Sequence, residues 1–193
     1  GVFNNTATLN TLYSVHNSTY NDIPEGKHSL RFTTNHDESA WDATPMVIFN
    51  GKEGALAASA ISIFLGGVPL IYGSQEVGVT GNIPFFSNAP IDWTLNPDML
   101  DVYSKMLNFY TSSETVKKGE LATYNHSSLA VFTLSLDQNS VSALINTQPS
   151  TISYSVPSAI SDKSWTNIIS EASVTIESEI ELGPYEFLIL KQN

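Results

Sequence analysis

KEGALAASAISIFLGGVPLIYG, residues 52–73, is the stretch on which the fold turns. Ala, Leu, Ile and Phe fill nearly every position from Ala55 to Leu65, and Gly66-Gly67 stops the run. A helix apolar on most sides is a helix buried on most sides. VPLIYG then reads as a short apolar strand, with Pro69 tolerated near its start. Upstream, Leu30 to Thr33 has the pattern of another brief strand. Strand, apolar helix, strand is a βαβ unit, which predicts parallel strands joined by a right-handed crossover.

Outward from this unit the patterns change. Leu9, Leu12, Tyr13 and His16 share one helical face in the polar first segment, and Pro24 and Gly26 break the chain after it. Beyond Gly73 runs a loop rich in Gly, Pro and aromatics. Asn96 is expected to cap a helix with Pro97 at its first position, its apolar face being Met99, Val102, Tyr103, Met106, Leu107 and Tyr110. From residue 119 the period becomes two. LATY, LAVFTLSL, VSALINT, TISYSV, WTNII, ASVTI, SEIEL and YEFLILK are short runs split by turn residues, which predicts an antiparallel β-sandwich. The predicted class is therefore α/β plus all-β, with residues 1–118 forming the first part and 119–193 the second.

Composition narrows the partners. The chain of 193 residues carries a net charge of −11 with only eight Lys and Arg. No basic stripe exists to neutralise phosphates, so neither nucleic acid nor an anionic membrane surface is an expected partner. A neutral ligand such as a sugar meets no such repulsion. There is no cysteine, which removes disulfides, thiol nucleophiles and Cys-ligated metals. The four His, at 16, 28, 36 and 126, lack metal-ligand spacing. The opening GVFNNTATLN has no cationic segment and no apolar core of a signal peptide, and no apolar run approaches ~20 residues.

The segment between the two strand patterns holds the chemistry. SLRFTTNHDESAW, residues 29–41, sets Asn35, His36, Asp37 and Glu38 in succession after an apolar start. On an α/β barrel, reactive side chains sit where parallel strands end in loops. A carboxylate there stabilises positive charge developing on a sugar ring, and a His beside it donates hydrogen bonds to hydroxyls, as an oxocarbenium-like transition state demands. Asn and Asp after a strand also serve simply to cap a turn or a helix. The three letters alone are compatible with either role.

Their order among other stretches resembles one family. LRFTTNHDESAWDATP, the apolar helix, GVPLIYGSQEVG and IPFFSNAPIDW follow one another as in the α-amylase family of glycoside hydrolases, and LGPYEFLIL is similar to that family's final strand. The resemblance covers roughly residues 20–193. It implies the last strands and helices of a (β/α)8 TIM barrel, followed by an antiparallel Greek-key β-sandwich. It implies that Asp37 is the third catalytic carboxylate, which binds sugar hydroxyls and stabilises the transition state. His36 would hydrogen-bond hydroxyls of the sugar at the cleavage subsite, Asn35 would support and orient, and Phe32 would face the barrel interior. Glu76 would be a rim residue fixing its loop. Thr34 departs from the acidic residue often found before the Asn, as in a variant of some bacterial members.

The resemblance also implies an absence. Retaining glycosidases need a nucleophile and a general acid roughly 5–5.5 Å apart. In the family these lie on strands upstream of the stretch matched here. Glu38, Asp42 and Asp92 lack the family's flanking pattern and read as solvated loop carboxylates. The expected function is thus a fragment of an α-glucan hydrolase cleaving α-1,4 bonds of starch or maltodextrin, inactive alone. The other reading is a non-catalytic carbohydrate-binding or scaffolding relative. Trp41, on the loop bordering the cleft, is a candidate for touching glucan; Trp165 is expected in the core, and Phe85, Phe86 and Trp93 are expected to pack the loop from beneath. No cofactor or metal is expected in this segment, the family's calcium being held mainly by an inserted domain earlier in the chain. Expected partners are α-glucan oligosaccharide or polysaccharide, and self-association through exposed barrel edges. Few Lys and Arg, many Ser, Thr and Asn, and no Cys fit an exported bacterial enzyme.

Overall fold

A computed structural model describes all 193 residues. It contains an α/β part followed by antiparallel β-structure. Six α-helices and ten strands form in the order α1 (Leu9–Asn21), β1 (Leu30–Arg31), α2 (His36–Trp41), α3 (Pro45–Ile48), α4 (Lys52–Phe64), β2 (Val68–Pro69), α5 (Pro97–Ser112), α6 (Glu114–Lys118), β3 (Glu120–Tyr124), β4 (Leu129–Leu136), β5 (Asn139–Asn146), β6 (Ile152–Ser155), β7 (Lys163–Asn167), β8 (Ser173–Ile176), β9 (Glu179–Leu182) and β10 (Phe187–Gln192).

β1 and β2 pair in parallel, Leu30 opposite Val68 and Arg31 opposite Pro69, with α4 between them in sequence. The predicted βαβ unit is present, though each strand is two residues long. The strand expected over VPLIYG gives way to irregular backbone after Pro69. The turn from α4 into β2 depends on two glycines. Gly66 and Gly67 have φ of 103° and 123°, conformations that strain any residue bearing a Cβ. A Cβ on Gly67 would also lie 2.8 Å from the Ser29 carbonyl oxygen. The chain can therefore enter β2 flush against β1 only without a side chain there.

All eight strands expected after residue 119 form. Six make one antiparallel sheet in the order β3-β4-β5-β10-β7-β8, and β6 and β9 make a separate ribbon. The sheet is covered on both faces. Ala130, Phe132 and Leu134 of β4 join Ala143 and Ile145 of β5 and Ile189 of β10 in a cluster with α4 and α5. Leu129, Val131, Leu144 and Leu190 turn the other way, onto Trp165, Ile176 and Leu182. Alternation along β4 is thus between two apolar cores, which is why its sequence lacks the regular polar positions of a one-sided strand. Trp165 is wholly buried, as expected, and donates its indole N–H to the Ile160 carbonyl at 2.9 Å.

The first cluster holds residues from both sides of Gly119. Further ties cross the same line. Tyr13 of α1 donates its hydroxyl to the Val131 carbonyl and accepts from the Val131 amide. Asn50 donates to the Tyr185 hydroxyl at 3.1 Å. No helix is long and apolar enough to cross a membrane.

Two local expectations change. Asn96 starts α5, but its side chain makes no cap; its Nδ2 donates instead to the Val77 carbonyl at 2.8 Å, holding the preceding loop. Pro97, with φ preset and no N–H to satisfy, suffices to start the helix. Leu30, Phe32 and Val68 remain substantially exposed, because nothing in the chain covers that side of the parallel pair. Nearby lies an apolar groove of about 320 Å³ lined by Val2, Phe3, Leu12, Phe32, Phe49 and Ile61.

Two outcomes are predicted from this architecture. Gly67→Ala should destabilise the chain by about 1–3 kcal/mol through its strained φ alone, with the clash adding to this, read as a shift in urea midpoint. His16 is buried on α1, and its Nδ1 faces the Arg31 guanidinium at 3.2 Å. Burial first, and Arg31 second, lower its pKa from 6.5 to about 4. Well above pH 6.5 both folded and unfolded forms are neutral and nothing is lost. As pH falls toward 4 the unfolded chain takes up a proton that the folded chain refuses. Stability should drop by about 1–2 kcal/mol between pH 7 and 4.5 from this residue, solvent screening at a half-enclosed ring reducing the full linkage value. A His16→Gln variant should lack that component when urea midpoints are compared at the two pH values.

Candidate functional site

The C-terminal ends of β1 and β2 point the same way, and the residues that follow them build a shelf. After β1 the chain turns at Asn35, whose backbone is extended, and enters α2. The Asn35 side-chain oxygen accepts from the amides of Asp37 at 2.9 Å and Glu38 at 3.0 Å. Asn35 is therefore the helix cap, and that oxygen is committed to the backbone; such caps contribute about 1 kcal/mol. By starting the helix here, it places His36 and Asp37 in the first turn, at the open end of the strand.

His36 and Asp37 are both exposed, their side chains 57% and 66% accessible. The His36 Nε2 and an Asp37 carboxylate oxygen are 3.7 Å apart, too far for a hydrogen bond between them. Each is free to meet a ligand. Tyr72, following β2, brings its ring to 6.4 Å from the His36 ring, and Phe85 approaches edge-on at 5.0 Å. Trp41 lies one helical turn beyond Asp37, at the end of α2 rather than on a loop, and is 68% exposed. Of the four residues singled out in the sequence, Asn35 caps this short helix and His36, Asp37 and Trp41 lie on it, all three facing solvent.

Thr34, where an acid was the more familiar choice, is fully buried and shares a 2.7 Å hydrogen bond with Ser39. A hydroxyl pair can be buried neutral and satisfied, whereas a carboxylate at this spot would need a charged partner. Asp42, the residue that ends α2, lies one turn from Glu38; hydrogen bonding to Asp42 raises the Glu38 pKa above its ordinary value. Asp92 accepts from the Thr94 amide and hydroxyl, which lowers its own. Of the three, Asp92 is engaged by a residue of its own loop, whereas Glu38 has only Asp42 as its side-chain partner. One carboxylate oxygen of Glu76 is enclosed with no hydrogen-bond partner in the chain. No group of three or more His, Asp or Glu side chains is placed to hold a metal ion.

Beneath the shelf lies a residue that sequence reasoning passed over. Gln75 is 4% exposed. Its oxygen accepts from the Tyr72 amide at 2.9 Å, and its nitrogen donates to the Thr33 hydroxyl and the Tyr103 hydroxyl, each at 3.1 Å. Tyr103 in turn shares a short hydrogen bond with Ser59 of α4. One amide therefore ties the ends of both parallel strands to α4 and α5. In the sequence it is the middle of three polar residues, Ser74-Gln75-Glu76, following an apolar run, and looks like any loop residue.

Phe85, Phe86 and Trp93 correct an expectation. They do not pack the loop from beneath: Phe85 is 45% exposed, Phe86 90% and Trp93 54%. Tandem aromatics in a Gly/Pro/Asn/Ser loop have no periodic apolar neighbours with which to share a core, and that pattern was the available clue.

In fold, the chain resembles the C-terminal part of α-amylase-family enzymes. A cyclic α-maltosyl-(1→6)-maltose hydrolase from Arthrobacter globiformis aligns over 100% of this chain and 42% of its own, with TM-score 0.76 and 19% identity. An α-amylase from Geobacillus thermoleovorans, solved with acarbose, aligns over 96% and 43%, with TM-score 0.78 and 15% identity. A maltogenic α-amylase from Thermotoga neapolitana aligns over 98% and 47%, with TM-score 0.80 and 16% identity. The chain thus spans less than half the length of these neighbours. No protein-family profile matches it, and no curated protein matches it in sequence.

Replacing Gln75 with Leu should expose the role of the buried amide. The Tyr72 amide and the Thr33 and Tyr103 hydroxyls would each lose a partner, at a combined cost of about 2–4 kcal/mol. Urea unfolding should show the loss, and hydrogen exchange should accelerate at the Tyr72 amide before it does in β4 or β5.

Proposed function

We propose that this chain is the C-terminal part of a retaining α-glucan hydrolase of the α-amylase type, acting on α-1,4-glucosidic bonds of starch or maltodextrin. The observation that carries the reading is the shelf: His36 and Asp37 open a helix at the end of one parallel strand, beside Tyr72 at the end of its neighbour. Neighbouring structures solved with acarbose, maltose and maltotriose support the ligand class.

On this reading β1 and β2 are the last two strands of a (β/α)8 barrel, and the eight later strands are its Greek-key sandwich. Leu30, Phe32 and Val68 are inner-wall residues whose cover is the rest of the barrel, and without that cover they favour self-association. Asp37 holds two hydroxyls of the ring undergoing cleavage. As the glycosidic bond breaks, positive charge spreads over the anomeric carbon and ring oxygen, and the Asp37 carboxylate stabilises it. His36 donates to a hydroxyl of the same ring, and its value lies in orientation. Asn35 acts through the backbone, fixing where the helix starts. The nucleophile and the general acid are supplied by strand ends outside this chain.

The chain alone should therefore release no reducing sugar from soluble starch. In a reading frame that continues upstream through an R-x-D strand-end motif and a later strand-end Glu, Asp37→Asn should cut kcat by at least about a hundredfold, with KM changed far less. Hydrolysis by the isolated chain, with contaminating enzyme excluded, would overturn the proposal. So would an upstream sequence without those acids, which would favour a carbohydrate-binding scaffold.

A further inference from the structure

A pocket of about 280 Å³ opens at the opposite end of the parallel pair from the shelf, where the chain enters β1 and β2. His28 stands before β1, Gly66 before β2, and α1 contributes His16 and Tyr20. The facing wall is Lys117 and Lys118 at the end of α6, with β3 and β4 behind them. No Asp or Glu lines this pocket, in a chain whose acids outnumber its Lys and Arg 19 to 8.

The unmatched polar groups here are donors. The Arg31 guanidinium has only N–H groups to offer, so the His16 Nδ1 that meets it at 3.2 Å is the ring's lone-pair nitrogen. The ring is neutral, its pKa lowered to about 4 by burial and then by Arg31, and its one proton therefore sits on Nε2. That N–H has no acceptor in the chain, and His16 is only 7% exposed. A buried N–H left unmatched is destabilising. Nε2 faces Gly66, where a Cβ would stand 3.7 Å away, so the missing side chain leaves the nitrogen open to the pocket. The Tyr20 ring lies against His16 with centroids 4.7 Å apart, and its hydroxyl is enclosed without a partner in the chain. Lys117 and Lys118 share a single carboxylate, Glu114, which leaves one of their two positive charges uncancelled. An anion supplies what this set lacks. The donors arrive singly and from different walls, which suits the several oxygens of a tetrahedral oxyanion, and lysines meet such a group as point charges. A planar carboxylate is best matched by a guanidinium fork, and the only arginine of the chain is already engaged by the His16 ring. The net charge of −11 opposes any approaching anion, but that repulsion is screened beyond about 8 Å at physiological ionic strength.

We propose that this pocket binds a phosphate-type oxyanion, held by the His16 Nε2–H and the Lys117 and Lys118 ammonium groups, with the Tyr20 hydroxyl beside them. The site needs nothing from the functional reading above. It lies at the far end of the strands from Asp37, so its ligand is not the group undergoing reaction there. Its walls come from both sides of Gly119, and a bound anion therefore clamps the α/β part to the sheet. A ligand that binds only the folded chain stabilises it by mass action.

Thermal unfolding of the 193-residue chain in rising sodium phosphate, with NaCl lowered to hold ionic strength constant, tests the assignment. The melting temperature should climb and saturate with a Kd of roughly 1 mM, and the proton–nitrogen correlation of the His16 ring should shift over the same range. Replacing both pocket lysines, Lys117→Gln with Lys118→Gln, should weaken phosphate at least about tenfold. Lys105→Gln with Lys191→Gln removes the same charge away from the pocket and should leave the affinity unchanged. Glucose 6-phosphate separates the two sources of such a group: binding at least about tenfold tighter than phosphate marks the site as one for a phosphate ester, and equal binding marks it as one for the free ion. Either result upholds the pocket. A melting temperature that does not respond to phosphate at constant ionic strength overturns it. So does a His16 ring resonance that stays still while phosphate binds. Equal losses of affinity in the two double variants overturn it as well, because binding would then follow overall charge and not this site.

Discussion

A helix that is apolar all round has to be surrounded, and α4 sets that requirement for the whole chain. From Gly54 to Ile61 every residue is buried, and Ile63 and Phe64 follow. One side meets α5, another meets β5 of the large sheet, and its C-terminal end runs through two glycines into β2. No single layer could cover this surface. The parallel pair, the helices and the antiparallel sheet are therefore parts of one packing problem, and their shared cluster crosses Gly119 without a gap. Removing a large side chain from such an interior costs about 2–5 kcal/mol, a sizeable share of a domain's total stability. The same rule fixes the character of the sheet. With α4 and α5 on one face and the β6–β9 ribbon on the other, β4 and β5 cannot afford the polar alternation of a surface strand.

That rigidity reaches the shelf by a polar route. Two strands of two residues each make few ladder hydrogen bonds, so their own pairing cannot hold His36 and Tyr72 in register. Gln75 supplies what the ladder lacks, gripping Thr33 after one strand and Tyr72 after the other, and anchoring both through Tyr103 to Ser59 on α4. Every donor and acceptor of the amide that could be satisfied by these neighbours is turned toward them, which is the condition under which a buried polar network stiffens a structure. The first turn of α2 is then set by Asn35. The exposed side chains of His36 and Asp37 thus stand on buried, hydrogen-bonded supports.

Periodicity made the elements legible wherever apolar residues had a single consistent reason to recur. The face Leu9, Tyr13, His16 on α1, the run through α4, Met99, Tyr103 and Met106 on α5, and all eight later strands could be read from the letters. The residues of the shelf were legible too, through their order among neighbouring stretches. What escaped were structures decided by a single hydrogen bond. Asn35 and Asn96 look alike as helix starters, yet Asn35 caps its own helix while Asn96 reaches back to Val77. The choice depends on where the preceding loop lies, which no local pattern encodes. Gln75 was invisible for the same reason. Phe85 and Phe86 were misjudged because large aromatics are usually buried, and only the folded loop, pinned by Asn82, shows that they are not.

Exposed apolar surface in this chain comes in two kinds, and the difference bears on function. Leu30, Phe32 and Val68 belong to or directly adjoin short parallel strands with free edges, beside a groove lined by other apolar side chains. Strand edges and concave apolar walls call for more protein, because unpaired backbone groups are satisfied by another strand and not by a small ligand. Trp41, Phe85 and Phe86 sit on a helix end and a loop that are joined by hydrogen bonds from the Asn82 side chain and the Ile83 amide to the carbonyls of Ser39, Ala40 and Asp42. Nothing on that surface asks for a strand. The first kind of surface is suited to pairing with further protein, and the second is not.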